Sequence, residues 1–272
     1  MGKLIAILLV LGMLWQPARA SDSTVNLQLV RTIGGGIANF SVDNLGNIYL
    51  ITSSNQLKKL NEKFDSIGLF NDVKRYGSIY SVDASNPLKV LVYYKDFLTV
   101  VVLDRFLNAR TTIDLRQQNI VQAKAICQSY DNNMWVFDEL DAKIKKLDDN
   151  GKVLLESADF RMLFEEVPNP SQIIDADGQL YLYNSKHGFT VFDYYGAMKN
   201  NYSITNWKDV QVVNSILTGS DSNYLYRAMP QQLLLQKYKP NINLQDAVKV
   251  LTGNGLLYLL RKGALEVYAA TK

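Results

Sequence analysis

His187 is the only histidine in the 272-residue chain and the first candidate for acid–base work. It lies in Asn184-Ser185-Lys186-His187-Gly188, which reads as a turn between two strands, where a lone histidine is usually solvated. A zinc site would need further imidazole or thiolate ligands, and the chain has one histidine and one cysteine. Glu165-Glu166 offers two carboxylates, but on an irregular connection they read as a solvated edge. No Gly-x-Ser-x-Gly nucleophile elbow occurs. Asp175-Ala176-Asp177-Gly178 opens like a calcium loop, then runs into Leu180-Tyr181 without the closing bidentate acid. Gly34-Gly35-Gly36 lacks the Gly-Lys-Ser/Thr of a phosphate loop and precedes a strand. Cys127, in the apolar run Ala125-Ile126-Cys127, reads as a small buried hydrophobe with no internal disulfide to make. None of these residues converges on a reaction, and no cofactor or metal is expected.

Composition narrows the class. Lys3, the apolar run Leu4 to Trp15 and the Ala18-Arg19-Ala20 site read as a secretory signal over residues 1–20. The run is too short to span a bilayer. The remaining residues 21–272 are expected to form one domain, exported to the periplasm, the outer membrane or beyond the cell. Lys3 and Arg19 leave with the signal and no acid does, so the net charge of +3 falls by two. That near-neutral balance argues against a phosphate-backbone binder, and no nucleic-acid partner is expected. A hydrophobic content of 47% points to a packed core.

The apolar pattern has period two, as in Leu57 to Leu60, Val100 to Leu103 and Gln179 to Tyr183. A turn rich in Asp, Asn and Gly followed by a strand with an aromatic or leucine recurs. Its markers are Tyr49, Leu91, Trp135, Tyr181, Tyr224 and Tyr258, at intervals of 34–46 residues. Further strands follow, such as Ile144 to Leu147 and Phe189 to Phe192. Four short antiparallel strands per repeat make a propeller blade. The expected fold is therefore all-β: a six-bladed β-propeller with four antiparallel strands per blade. The degenerate second copy and the short last interval leave seven blades open. The segment from Val25 to Val30 alternates like a strand, and is expected to complete the last blade as its outer strand. The break at 157–168 reads as a short helical turn between blades. Asp, Asn and Gly at the turns supply positive φ or side-chain bonds to the turn backbone.

The recurrent Asp-x-x-Gly-x-Ile/Leu-Tyr turn, as in Asp43 to Tyr49, resembles that of six-bladed propellers of the NHL, TolB-like and gluconolactonase-like group. The resemblance covers residues 25–272 and implies architecture far more than activity. In gluconolactonase-like enzymes it implies Glu, Asn and Asp holding a divalent metal on the innermost strands. The equivalent segments here supply Asn39, Ser78, Lys124, Gln172 and Asn214, candidates for a tunnel lining, and no carboxylate. A hard divalent cation prefers carboxylate oxygens, so this argues against a metallo-lactonase.

Sixteen tyrosines exceed what the repeat requires. Tyr93, Tyr94, Tyr194, Tyr195, Tyr202 and Trp207 fall in or near turns and are the candidate partner-binding residues. The expected role is a non-enzymatic protein-interaction scaffold of the bacterial cell envelope, binding an envelope or outer-membrane protein as in an assembly or secretion complex. Two alternatives stand beside it: a hydrolase or lyase with a central-tunnel site, and a carbohydrate-binding propeller with a glycan stacked on tyrosine.

Overall fold

The computed structural model describes residues 22–271, so the expectation for residues 1–20 lies outside it. Six sheets form the blades. Blade 1 is Ile37–Val42, Ile48–Thr52, Leu57–Leu60 and Ser66–Phe70. Blade 2 is Ser81–Asn86, Lys89–Tyr94, Thr99–Asp104 and Ala109–Asp114. Blade 3 is Ala123–Gln128, Met134–Asp138, Lys143–Leu147 and Val153–Glu156. Blade 4 is Gln172–Ala176, Gln179–Asn184, Gly188–Phe192 and Met198–Tyr202. Blade 5 contains Lys208–Val213, Ile216–Ser220, Leu225–Met229 and Leu234–Pro240, and blade 6 contains Lys249–Gly253, Leu256–Arg261 and Ala264–Ala270. The first strand of each blade contacts the first strand of the next, from blade 1 around to blade 6 and back. Those six strands therefore surround the axis.

A blade is packed on both faces, so its middle strands must be apolar at both parities. Every residue of Lys89–Tyr94 and of Met134–Asp138 is buried. Six hydrophobic clusters fill the six gaps between neighbouring blades. Between blades 3 and 4, for example, the Phe160 and Phe192 rings stack at 5.0 Å beside Trp135. The single helical turn Phe160–Met162 lies in the expected break at 157–168, and helical turns also join blades 1 and 2 at Val73–Tyr76 and blades 2 and 3 at Leu115–Gln118.

The turns follow one chemical scheme. At the turn between the third and fourth strands, Oδ1 of Asn61, Asp104, Asp148 and Asp193 accepts the N–H groups two and four residues on. Asp43 does the same at the first turn of blade 1. The residue three positions after the acceptor must then take positive φ, and Gly46, Gly151 and Gly196 do so freely. Phe64 and Leu107 take φ of 68° without that freedom, and Leu107 is held there by burial between blades 1 and 2. Slight burial pushes the Asp104 carboxyl up, but hydrogen bonds from Asn108 and Phe106 outweigh it and hold it below the usual range. Asp104→Ala is expected to cost about 1–2 kcal/mol in urea denaturation at pH 7. A depressed folded pKa contributes stability above the unfolded value of about 3.9 and loses it as pH falls through the folded one. The difference between variant and wild type should close in acid.

The N-terminal residues close the ring in two steps. We label Asp22–Val25 β1 and Leu27–Ile33 β2. Strand β2 pairs antiparallel with Ala264–Ala270 and completes blade 6, as the alternation from Val25 to Val30 led one to expect. Strand β1 adds an unforeseen fifth strand to blade 5, parallel to Leu234–Pro240. At the crossing between them, Asn241 accepts the Leu27 N–H at 2.8 Å and donates to its carbonyl at 3.2 Å.

Blade 5 corrects the sequence reading. The run Gly219 to Tyr226, expected to be a first turn and second strand, joins the second strand to the third instead. Asp221 Oδ1 accepts the N–H groups of Asn223 and Tyr224, which gives this turn the chemistry of a first turn. The true first turn is Asn214-Ser215, both at positive φ and with neither Asp nor Gly to mark it. Thr218, paired with Gln211, stands where blades 4 and 6 place Tyr181 and Tyr258, and Leu217 beside it packs toward blade 4.

Candidate functional site

The axis carries a cavity of about 410 Å³ lined by the innermost strands. An innermost strand has no neighbour on its axial side, so its edge amides and carbonyls must find other partners. The structure meets this need with a polar side chain at every blade junction. Ser41 Oγ donates to Val82 O at 2.8 Å, joining blades 1 and 2. Asp83 Oδ2 accepts Gln128 N at 2.6 Å, and Asp175 Oδ2 accepts Ser129 Oγ at 3.1 Å. Gln172 Nε2 donates to Val210 O at 3.0 Å, and Asp209 Oδ2 accepts Val250 N at 2.9 Å. Lys249 Nζ closes the circle on Phe40 O at 2.8 Å and on Asn39 Oδ1 at 3.0 Å.

The five expected tunnel residues separate accordingly. Lys124 and Gln172 line the cavity, and Asn39 is held against Lys249 at its wall. Lys124 faces Glu139 at 3.6 Å. Ser78 is exposed on the connection before blade 2 and does not line the cavity. Asn214 is in the first turn of blade 5, exposed and off the cavity, because the segment chosen for that blade begins too late.

The segments taken for the innermost strands also missed the carboxylates: those of blades 2 and 4 stop at Ile79 and Ile173, short of Asp83 and Asp175, and that of blade 5 begins after Asp209. Asp83, Asp175 and Asp209 all line the cavity, contrary to the expectation that no carboxylate does. Asp209 sits at positive φ beside a shift in strand register, which turns its carboxylate toward blade 6. Burial pushes its pKa up against the pull of the Val250 N–H and of Lys249 and Lys208. Burial pushes Lys249 down, with Asp209 opposing. Among the described residues no group of three or more His, Cys, Asp or Glu is placed to hold a metal ion. Gln128 is 5% exposed, lines the cavity, and finds no protein partner for either amide atom.

Cys127 is buried, and burial followed by the charges of Asp83 and Asp175 holds its thiol well above the usual range. His187 sits on the rim of blade 4, 3.1 Å from Glu166 and away from the axial cavity. The sequence signalled neither partner to the other, because 21 residues and two strands' worth of chain separate them.

The partner-binding candidates also divide. Tyr93 and Tyr94 are fully buried, so they are core residues and not loop aromatics. Tyr93 donates to Ala123 O at 2.9 Å across to blade 3. Trp207 is buried and stacks on Tyr226 at 5.0 Å, and Tyr202 packs half-buried against the same cluster. Tyr194 and Tyr195 lie at the turn end of blade 4, with Tyr195 86% exposed.

Tyr194 belongs to a larger assembly that the sequence did not reveal. Its ring stacks on Tyr130 at 4.6 Å and 13°, and on Trp135 at 6.1 Å. Lys146 Nζ lies 4.9–5.7 Å from all three ring centres and pairs with Asp131 at 2.5 Å. Asp175 anchors the group from the tunnel wall, accepting Trp135 Nε1 at 2.9 Å and the Tyr194 hydroxyl at 2.5 Å. Burial, then that hydrogen bond, pushes the Tyr194 hydroxyl well above its ordinary value. Tyr130 caps the stack and is 67% exposed. The neighbouring turn of blade 2 is tied on by Asn86 Nδ2 to Asn132 Oδ1 at 3.0 Å and presents exposed Leu88. The result is an aromatic shelf over blades 3 and 4 in which Trp135 Nε1, the Tyr194 hydroxyl and Lys146 all have protein partners.

No family model and no curated protein matches this sequence. Solved structures match its shape. A virginiamycin B lyase from Staphylococcus aureus with quinupristin, in a catalytically inactive histidine-to-alanine form, has a TM-score of 0.61 at 11% identity, covering 89% of this chain and 99% of that one. A streptogramin B lyase has a TM-score of 0.58 at 15% identity, covering 85% and 78%. The WD40 domain of Neurospora crassa Pan2 has a TM-score of 0.65 at 10% identity, covering 92% and 97%. At these identities the likeness is one of fold. The chain is a six-bladed β-propeller, similar in shape to lyases and to WD40 domains alike.

Proposed function

We propose that this propeller is a non-enzymatic interaction scaffold of the bacterial cell envelope, docking an envelope or outer-membrane protein on the aromatic shelf of blades 3 and 4. The observation that carries the reading is the exposed Tyr130 ring on a pre-ordered stack of Tyr194, Trp135 and Lys146, flanked by exposed Tyr195 and Leu88. Aromatic anchors held rigid before binding lose little conformational entropy on docking. The tunnel supports this reading from the other side, since Asp83, Asp175, Asp209, Gln172 and Lys249 are engaged in joining blades. In the lyase of similar shape, loss of a histidine accompanies loss of activity. The histidine here lies on the rim beside Glu166.

A Tyr130→Ala, Tyr195→Ala double variant tests the proposal in a crosslinked affinity capture from native envelopes. Wild type is expected to recover a discrete envelope protein in stoichiometric amount, and the variant about 30-fold less, as expected for removal of about 2 kcal/mol of anchor contacts. Equal recovery by both would contradict it. The flat Tyr130 face also suits a sugar ring, and release of the captured material by free oligosaccharide would move the assignment to a glycan.

A further inference from the structure

We infer that the gap between blades 5 and 6 is a binding site for a small organic acid with an apolar body. Most interfaces in the ring are filled by large apolar side chains, but the second strand of blade 5 has Thr218-Gly219-Ser220 where blade 4 has Tyr181-Leu182-Tyr183 and blade 6 has Tyr258-Leu259-Leu260. Gly219 faces the other way, onto Trp207 in the core with blade 4, so the side chains turned to blade 6 are the short ones of Thr218 and Ser220. A cavity of about 250 Å³ results, extending from Val25 in β1 to Asp209 and Gln211, which also line the axial tunnel. An apolar cavity of roughly 150 Å³ holds benzene, so this one has room for an aryl or branched alkyl group bearing a short acid arm.

Arg227 supplies the charge. Its side chain lines the cavity, half-buried, and makes one hydrogen bond, from Nη1 to Gln236 Oε1 at 3.3 Å, and no ion pair among the described residues. That oxygen is already bonded at 2.9 Å by the Tyr238 hydroxyl. A half-buried guanidinium with most of its N–H groups unclaimed is matched by a carboxylate, which can take two of them side by side. Val25, Leu225 and Val250 give the apolar wall for the ligand body. Asp209, at the tunnel end, sets the direction of binding: a second anion is unwelcome beside it, so the ligand's acid group lies at Arg227.

The probe is 3-phenylpropionate, titrated into the full chain and followed by amide NMR, with the neutral 3-phenylpropan-1-ol as its partner control. Saturable shifts are expected at the amides of Thr218, Arg227 and Val250, with the acid binding at least tenfold more tightly than the alcohol. Arg227→Gln should abolish that preference. Thr218→Leu, which fills the cavity and leaves Arg227 in place, should abolish binding of both while raising the melting temperature. Equal affinity for acid and alcohol, shifts confined to other blades, or full binding by Thr218→Leu would each overturn the inference. None of these readouts involves the aromatic shelf, so the two proposals stand or fall separately.

Discussion

Replacing Asp138 with alanine is expected to cost about 3–5 kcal/mol of stability, because it removes the buried counter-ion of a buried lysine and a hydrogen-bond acceptor of the adjoining turn. The Lys145 side chain is 3% exposed and its Nζ lies 2.7 Å from Asp138 Oδ2, itself 1% exposed. Asp141 approaches the same ammonium at 2.5 Å from a more exposed position. Asp138 Oδ1 meanwhile accepts the N–H groups of Leu140 and Asp141, so one carboxylate serves the lysine and the turn together. Burial draws the Lys145 pKa down, but hydrogen bonds and charge from Asp138 and Asp141 outweigh it and leave the value raised. The sign follows: stabilisation is complete below the unfolded lysine value of about 10.4 and is lost as pH rises through the folded one. At about 2–4 °C per kcal/mol for a chain of this size, the melting temperature should fall by about 6–20 °C. Pairing Asp138→Leu with Lys145→Met should recover much of that loss, since the cost lies in the unpaired charge. A loss under about 1 kcal/mol for Asp138→Ala would contradict this and show that Asp141 and water suffice for Lys145.

Deletion of residues 22–33 is expected to be more damaging still. It removes β2 from blade 6 and β1 from blade 5, leaving Ala264–Ala270 and Leu234–Pro240 as open edges. It also withdraws Leu27 from the core between blades 5 and 6. The expected loss is on the order of the whole stability of a domain, about 5–15 kcal/mol, so the truncated chain should be recovered aggregated or should melt without a cooperative transition. Supplying a peptide of residues 22–33 in trans should restore the transition in a concentration-dependent way. Asn241→Ala, which removes only the clamp on Leu27, should cost about 1–2 kcal/mol and leave the transition cooperative. A cooperative, soluble truncation would mean that blade 6 holds as three strands.

The blades were legible where turn chemistry marked them. Asp43, Asp148 and Asp193, each followed three residues later by glycine, announce hairpins because few other residue pairs satisfy both the side-chain bond and the positive φ. Blade 5 was misread for the same reason, since Asp221 imitates that signal at the wrong turn while Asn214-Ser215 hides the right one. One misplaced turn then carried Asn214 into the tunnel list and kept Asp209 out. The buried pair Tyr93-Tyr94 shows a second limit. Adjacent residues on a strand point to opposite faces, and turn proximity suggested that at least one was exposed, but a blade buries both faces. Tyr194 and Tyr195 were found by the tyrosine excess and their place at a turn, whereas Tyr130, Trp135 and Lys146 join them only through packing between blades 3 and 4. Nothing in local sequence encodes that meeting.

Site-specific photo-crosslinking in native cells tests the scaffold most directly. A p-benzoylphenylalanine placed at Tyr195 reports on the shelf, and one placed at Tyr80, exposed at the opposite mouth of the tunnel, serves as the comparison. The expected result is a single discrete protein adduct from position 195, lost in a Tyr130→Ala background, with none from position 80. An adduct formed only from position 80, or from neither position, would contradict the shelf as the docking surface.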